Sequence, residues 1–200
     1  CKQRTRRVRT VDVRQAGVTG CNNDGRVANV LNDEGQWWQT WFGLRGYDGE
    51  QVDSAIDFGT ATPDNRVPGT DSVQLQGIEG IGLSVERHQP NSAMFHISAP
   101  TQEIDDGDIL MVCDFDHAAI FQVAQYNSAN VAVVHNTGNS VSPGNRSNGL
   151  GYPTIDGNPG NSYEFAPNSQ IARMSTVDWY VGANGRPAEG GRSLYRLRLG

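Results

Sequence analysis

The chain has 200 residues, enough to bury the core of one domain, and its 24 glycines with 36% hydrophobic residues favour short strands joined by many turns. No run of about 18 apolar residues occurs, which argues against a membrane span in the sequence given. The net charge of −6 is uneven, because residues 1–14 carry +5 and the remainder −11. No aromatic residue lies among these arginines and the acidic body would repel phosphate, so we expect no nucleic-acid partner.

The first segment with a helical pattern is 4–16. Val8, Val11 and Ala16 stand at near-helical spacing among arginines, and Gly17 follows as a stop signal. The pattern predicts either a short amphipathic helix or the tail end of a longer one.

A cluster of tryptophans follows the glycine-rich turn after this segment. Three of the four tryptophans, Trp37, Trp38 and Trp41, fall within five residues. They form either a hydrophobic anchor for a loop on the sheet or an exposed aromatic platform for a sugar or a protein partner.

Short segments of alternating or apolar residues predict the strands of the body. They are 72–76, 83–87, 93–97 and 131–135, and 171–181 is expected to pair with 194–199 across a loop. The glycines between 77 and 82 predict a bulge or turn. Residues 136–162 hold mostly Asn, Gly, Ser and Pro, which predicts a long mobile loop that could order on contact with a partner.

The longest apolar tract, 107–125, predicts a β-hairpin with a polar turn at 114–117. On a normal pleat, alternate residues of each strand share one face, and we expect these two faces to form the core. They carry Ile109, Met111, Cys113 and Phe115 on the first strand and Ala119, Phe121 and Val123 on the second.

Candidate chemistry is sparse. Asp114, Asp116 and His117 could bind a divalent ion, as could the carboxylates at 105, 106 and 108, but neither set has the spacing of a calcium loop, and ordinary turns explain both. The four histidines lie in unrelated segments, and no nucleophile elbow, phosphate loop or dinucleotide motif occurs. We therefore expect no enzyme, no metal and no cofactor, with a metal-dependent hydrolase as the weakest alternative.

The three cysteines are Cys1, Cys21 and Cys113. Cys21 with Cys113 is the pair that would tie two parts of the body together, with a gain of about 3–5 kcal/mol in the chain-entropy model. The alternative is that Cys113 is a small buried hydrophobic residue.

Five segments stand in a particular order along the chain. They are VRQAGVTGC at 13–21, LRGYDG at 44–49, GTDSV at 69–73, the hairpin strands at 107–112 and 118–123, and SLYRL at 193–197. In this order they resemble the PilW-like minor pilins of type IV pili, which are related to the J-type pseudopilins of type II secretion. The first segment is similar to the end of that family's N-terminal helix.

The resemblance implies an α+β, β-dominated fold, pilin-like, in which an N-terminal helix stub (1–17) packs on an antiparallel sheet within a single domain of which 18–200 is the body. It also implies a non-enzymatic subunit that takes part in pilus assembly initiation and in the tip complex. Its partners would be other minor pilins, the major pilin, a large tip adhesin and, through a missing helix, the inner membrane. The expected location is inner membrane and periplasm, then the pilus, with roles in twitching motility and adhesion. The alternative is a carbohydrate- or surface-binding β module that uses the tryptophan cluster.

Overall fold

A computed structural model of the chain describes residues 27–39, 42–138 and 140–198. These residues form ten strands and two 3-10 helices of three residues each, Pro90–Ser92 and Pro187–Glu189. The strands are β1 (Val27–Asn29), β2 (Leu44–Tyr47), β3 (Ser72–Gln89), β4 (Met94–Ile97), β5 (Ile109–Cys113), β6 (Ala118–Gln122), β7 (Gln125–Asn127), β8 (Ala132–Val134), β9 (Gln170–Ala183) and β10 (Arg192–Arg198).

The predicted α+β class is wrong, because the described part of the chain is nearly all β and has no helix of seven or more residues. The reason is visible in the sequence, where period-2 alternation and frequent turn residues leave no long segment of helical period in the body. The predicted helix stub, residues 4–16 of the proposed remnant 1–17, lies outside the described residues. Within those residues, no helix is long and apolar enough to cross a membrane.

The chain divides into two compact units where the sequence predicts one domain. Of the described residues, the smaller unit comprises 42–76 and 176–198, and the larger unit comprises 27–39, 77–138 and 140–175. Two long strands contribute to both, since β3 passes from one unit to the other at 76/77 and β9 at 175/176.

In the larger unit the strands lie in the order β1-β6-β5-β9-β3-β4-β8-β7. Neighbours are antiparallel in all the pairs with a recorded register except β1 and β6, which run parallel. Apolar residues from most of these strands meet in one fully buried cluster that includes Phe95, Phe121 and Phe165. This aromatic cluster is the main hydrophobic core of the described chain.

The predicted hairpin is confirmed, because β5 and β6 pair antiparallel with Leu110 opposite Phe121. The prediction of which face of the hairpin enters the core is partly wrong. The core cluster takes Leu110 and Val112 from β5, not the alternate set that begins at Ile109, and Phe115 is 89% exposed. Met111 and Cys113 are buried on the other side of the strand, so both faces of the hairpin are covered and alternation could not choose between them.

The glycine-rich segment 77–82 does not turn. β3 is one strand of 18 residues that includes both strands predicted at 72–76 and 83–87. The predicted pairing of the last two strands is confirmed, since β9 and β10 are antiparallel with Tyr180 opposite Tyr195.

The stretch 136–162 is a loop, in that no named strand lies in its described part, but its middle is packed rather than free. Ser147 and Leu150 are almost fully buried, and Leu150 belongs to the core cluster. The side chain of Asn145 bonds both the backbone N–H and the backbone C=O of Gln122, at 2.8 and 2.7 Å. This loop is therefore part of the larger unit's folded interior.

Candidate binding face

The smaller unit has a sheet of β2, β3, β9 and β10, in that order, with two different sides. The register places Leu44 opposite Leu75 and Leu194 opposite Val181, and side chains directly opposite share a face. We call this side the outer face. Its larger side chains are Leu44, Val73, Leu75, Val177, Trp179, Val181, Arg192, Leu194, Arg196 and Arg198.

The outer face exposes more apolar surface than a single scattered side chain would. Leu44 is 38% exposed, Leu75 41% and Leu194 64%. A shallow open groove crosses the same side, and it is lined by Asp71, Ser72, Val73, Trp179 and Leu194. Contiguous exposed apolar surface with a polar rim is typical of interaction sites.

Arginines border this apolar surface along β10. Arg192 and Arg196 are exposed, and alternation places them on the same side as Leu194. The guanidinium carbon of Arg196 lies 5.7 Å from the ring centroid of Trp179, its cross-strand neighbour, at the distance of a cation–π contact. Trp179 thus orients a cation over the outer face.

The inner side of the same strands covers a buried polar cluster. Its acidic and basic members are Asp53, Arg66 and Asp178, with exposures of 3%, 0% and 0%. The guanidinium of Arg66 donates to the Ser72 hydroxyl at 2.7 Å and to the backbone carbonyl of Gln51. The hydroxyl of Ser72 donates to Asp53, so one network ties the loop 48–70 to β3.

Two carboxyl groups share this cluster with one guanidinium. The Gln74 amide donates to Asp53 at 2.6 Å, whereas neither oxygen of Asp178 makes a hydrogen bond of ordinary length. Burial and the neighbouring Asp53 raise the pKa of Asp178 to about 7, against the opposite influence of Gln74 and Arg66. The cluster is therefore close to charge neutrality when Asp178 holds a proton. It is closed to solvent, which suits a structural role and not a catalytic one.

The larger unit buries a histidine pair that the sequence reasoning missed. The Nε2 atoms of His88 and His135 lie 3.4 Å apart, and His88 stacks on Phe95 with ring centroids 4.0 Å apart. Because Nδ1 of His88 accepts the backbone N–H of Phe165 at 3.1 Å, its proton is on Nε2 and points at His135. Burial lowers the pKa of His88 to about 4 and of His135 to about 3. Both rings are neutral near pH 7.

The tryptophans of the predicted platform are only partly accessible. Trp38 is 8% exposed and Trp37 is half-buried, while Trp41 lies outside the described residues. A sugar ring cannot stack on a side chain that the protein already covers. The arrangement suits the hydrophobic anchor better than the exposed platform.

The aspartates and histidine of the hairpin turn make turn contacts. One oxygen of Asp114 accepts the backbone N–H groups of Asp116 and His117 at 2.9 and 2.8 Å, and the other accepts the Tyr163 hydroxyl at 2.8 Å. Nε2 of His117 lies 2.8 Å from the carbonyl of Leu150. In the second acidic segment, Asp108 pairs with Arg173 at 2.9 Å. Across the described ranges, no three potential metal ligands converge.

Cys113 is buried, at 3% exposure. Its predicted partner Cys21 and the remaining Cys1 lie outside the described residues, so the pairing of Cys21 with Cys113 stays a prediction.

Comparisons of the chain with family models, with curated proteins and with solved structures give no match. The likeness to minor pilins therefore rests on the segments quoted above. The chemistry of the outer face has to be interpreted from its own residues.

Proposed function

We propose that this chain is a non-enzymatic subunit of a larger assembly, and that the assembly is the one its sequence resemblance implies, a type IV pilus in which it acts as a minor pilin. The observation that carries the proposal is the outer face of the smaller unit. A sheet that buries one side and exposes leucines, a tryptophan and arginines on the other is suited to contact another protein.

The composition of the outer face supports protein binding over catalysis. Tryptophan and arginine are enriched in protein interfaces and often dominate their binding energy. Trp179 is held between Arg196 and the groove that Leu194 lines, so an aromatic anchor is already positioned. A partner that covered this face would remove the apolar surface of Leu44, Leu75 and Leu194 from water.

The predicted disulfide between Cys21 and Cys113 fits the proposed location, because disulfides persist in oxidising compartments such as the periplasm and on cell surfaces. We propose that the chain lies at the inner membrane and in the periplasm before assembly, then in the pilus, with other minor pilins and the major pilin as its partners.

A clean deletion strain tests this function. Its loss should reduce surface pili and twitching while the amount of major pilin is unchanged. Complementation with Leu194→Ser should fail, because the most exposed apolar side chain of the outer face is gone. Val52→Ser is the matched control, since Val52 is 74% exposed in the same unit and does not lie on the outer face. Normal piliation in the deletion strain would overturn the proposal.

A further inference from the structure

We propose that β10 is a docking edge for an acidic, extended segment of another protein, which adds to the sheet as a fifth strand of the smaller unit. The segment would carry carboxylates four residues apart that face Arg192 and Arg196. This inference rests on the proposed function and names the kind of partner that the outer face receives.

The position of β10 in the sheet provides the backbone half of the site. In the order β2-β3-β9-β10, β10 lies at one edge, and among the residues that the structure describes β9 is the only strand paired with it. Alternate N–H and C=O groups of an edge strand point away from the sheet and can bond an incoming strand. With seven residues, β10 offers several such groups.

The side chains of β10 provide the specificity of the proposed site. Along the outer face it presents Arg192, Leu194, Arg196 and Arg198 at every second position, and the burial alternates in step. Arg192 and Arg196, which lie on either side of Leu194, are about 13 Å apart along the strand, at about 3.3 Å per residue. An added strand places its own side chains about 5 Å from those directly opposite. The complement is therefore Glu-x-Leu-x-Glu.

The charge of this edge is not neutralised within its surroundings. In the part of the chain that the structure describes, neither Arg192 nor Arg196 makes an ion pair, whereas the nearby Arg186 is paired with Glu189 at 2.8 Å. Arg196 is instead held over Trp179. Since the whole chain carries a net charge of −6, a cationic row on one strand is the exception and favours an anionic partner.

An acidic peptide fits these observations better than an anionic polymer. Leu194 lies between the two arginines and is 64% exposed, so the site alternates charge with apolar surface. A polyanion would neutralise the arginines but would leave Leu194 and the open backbone edge without partners. A peptide strand satisfies all three features.

The test uses the purified chain and a labelled, end-capped peptide of eleven residues with Glu-Thr-Leu-Thr-Glu at its centre and threonine elsewhere. Fluorescence anisotropy should show saturable binding that weakens at least tenfold for Arg196→Glu and that weakens again as salt is raised from 50 to 500 mM. Arg87→Glu is the matched control, because Arg87 is an exposed strand arginine of the larger unit. It should change the affinity less than twofold. The double variant R192E/R196E should bind the Lys-Thr-Leu-Thr-Lys peptide in preference.

Two further peptides and one polyanion distinguish strand addition from general electrostatic attraction. A peptide of the same composition with adjacent glutamates, a peptide with alternate N-methylated amides and a polyanion, heparin, should each bind at least tenfold more weakly. Equal binding of any of them, or no binding of the designed peptide at 1 mM, would overturn the inference. Self-association that R196E abolishes, measured by sedimentation, would assign the edge to a second copy and overturn it too. If the peptide fails but Leu194→Ser still fails to complement, this inference falls while the proposed function stands.

Discussion

In the larger unit both sides of the β5–β6 hairpin are covered. In the smaller unit β9 buries one side and leaves the other half-buried, and β10 half-buries one side and exposes the other. The larger unit has a cluster of phenylalanines at its centre, and the smaller unit has a charged network around Arg66 beneath its sheet. A buried network of charged and polar groups contributes less net stability than an apolar core of similar volume, because each charge loses its hydration. The comparison indicates that the larger unit supplies most of the stability, whereas the smaller unit carries the proposed binding surface.

The two units also bury ionisable groups in opposite ways. The larger unit keeps His88 and His135 neutral by excluding water, so protonation of either ring in acid opposes its burial. The smaller unit holds two carboxyl groups against one guanidinium, so base opposes the burial of Asp178. The units should therefore respond to pH with opposite signs, and this contrast can be measured.

The largest effect is expected from Phe95→Ala. Phe95 is fully buried and contacts other rings of the core, so its removal should lower the free energy of unfolding by about 4 kcal/mol, the usual cost of a large cavity. Guanidinium unfolding measures it. Phe115→Ala is the matched control, because Phe115 is 89% exposed and its loss should stay within about 0.5 kcal/mol. Similar losses for the two variants would contradict the burial described above.

Arg66→Met should lower the free energy of unfolding by about 3 kcal/mol, because it removes the cation from a buried network that contains two carboxyl groups. Arg186→Met, at an exposed ion pair, should cost less than about 1 kcal/mol. Adding Asp178→Asn to Arg66→Met should recover part of the loss. A double variant as unstable as the sum of its parts would show that these two side chains do not interact.

Acid should destabilise the protein through the histidine pair. Each histidine has a pKa near 6.5 when unfolded and about 4 or about 3 when folded, so its contribution is complete above pH 6.5 and is lost as pH falls toward 4. The slope is at most about 1.4 kcal/mol per pH unit for each histidine. His135→Leu should therefore flatten the fall in unfolding free energy between pH 6.5 and 4. An unchanged slope would mean that His135 is not buried in its neutral form.

Asp178 should act in the opposite direction. Its pKa is raised from 3.8 to about 7 on folding, so its contribution is complete below pH 3.8 and is lost as pH rises to 7. The unfolding free energy of Asp178→Asn relative to the unsubstituted chain should thus increase from pH 4 to pH 7, by at most about 1.4 kcal/mol per pH unit. A difference that does not vary with pH would place an ionised carboxylate in the cluster throughout.

Local sequence patterns predicted those strands that a short stretch of chain specifies by itself. The hairpin and the β9–β10 pair were predictable, because alternation and a turn specify each within a short stretch of chain. The face of β5 was not, since residues on both of its sides are buried and alternation carries no information there. The glycines of 77–82 suggested an interruption that the sheet tolerates within β3.

The buried clusters depend on contacts that are distant in sequence. His88 and His135 lie on separate segments, and Asp53 and Arg66 come from a loop that has no regular pattern. One signal was available for the smaller unit. Asp178 lies on the buried side of β9, together with Met174, Thr176 and Tyr180. A charged side chain at such a position requires a hydrogen-bonding or oppositely charged partner.

The most direct test of the account compares Trp179→Ser/Leu194→Ser with Val52→Ser. We expect Val52→Ser to change the unfolding free energy by less than about 0.5 kcal/mol and the outer-face pair by about 1 kcal/mol, because all three side chains are at least partly exposed. The binding of partner proteins should distinguish Val52→Ser from the outer-face pair. Co-purification of co-expressed minor pilins should persist with Val52→Ser and be lost with the outer-face pair while both proteins remain folded. Retention of the partners by the folded outer-face variant would contradict the assignment of this face to assembly.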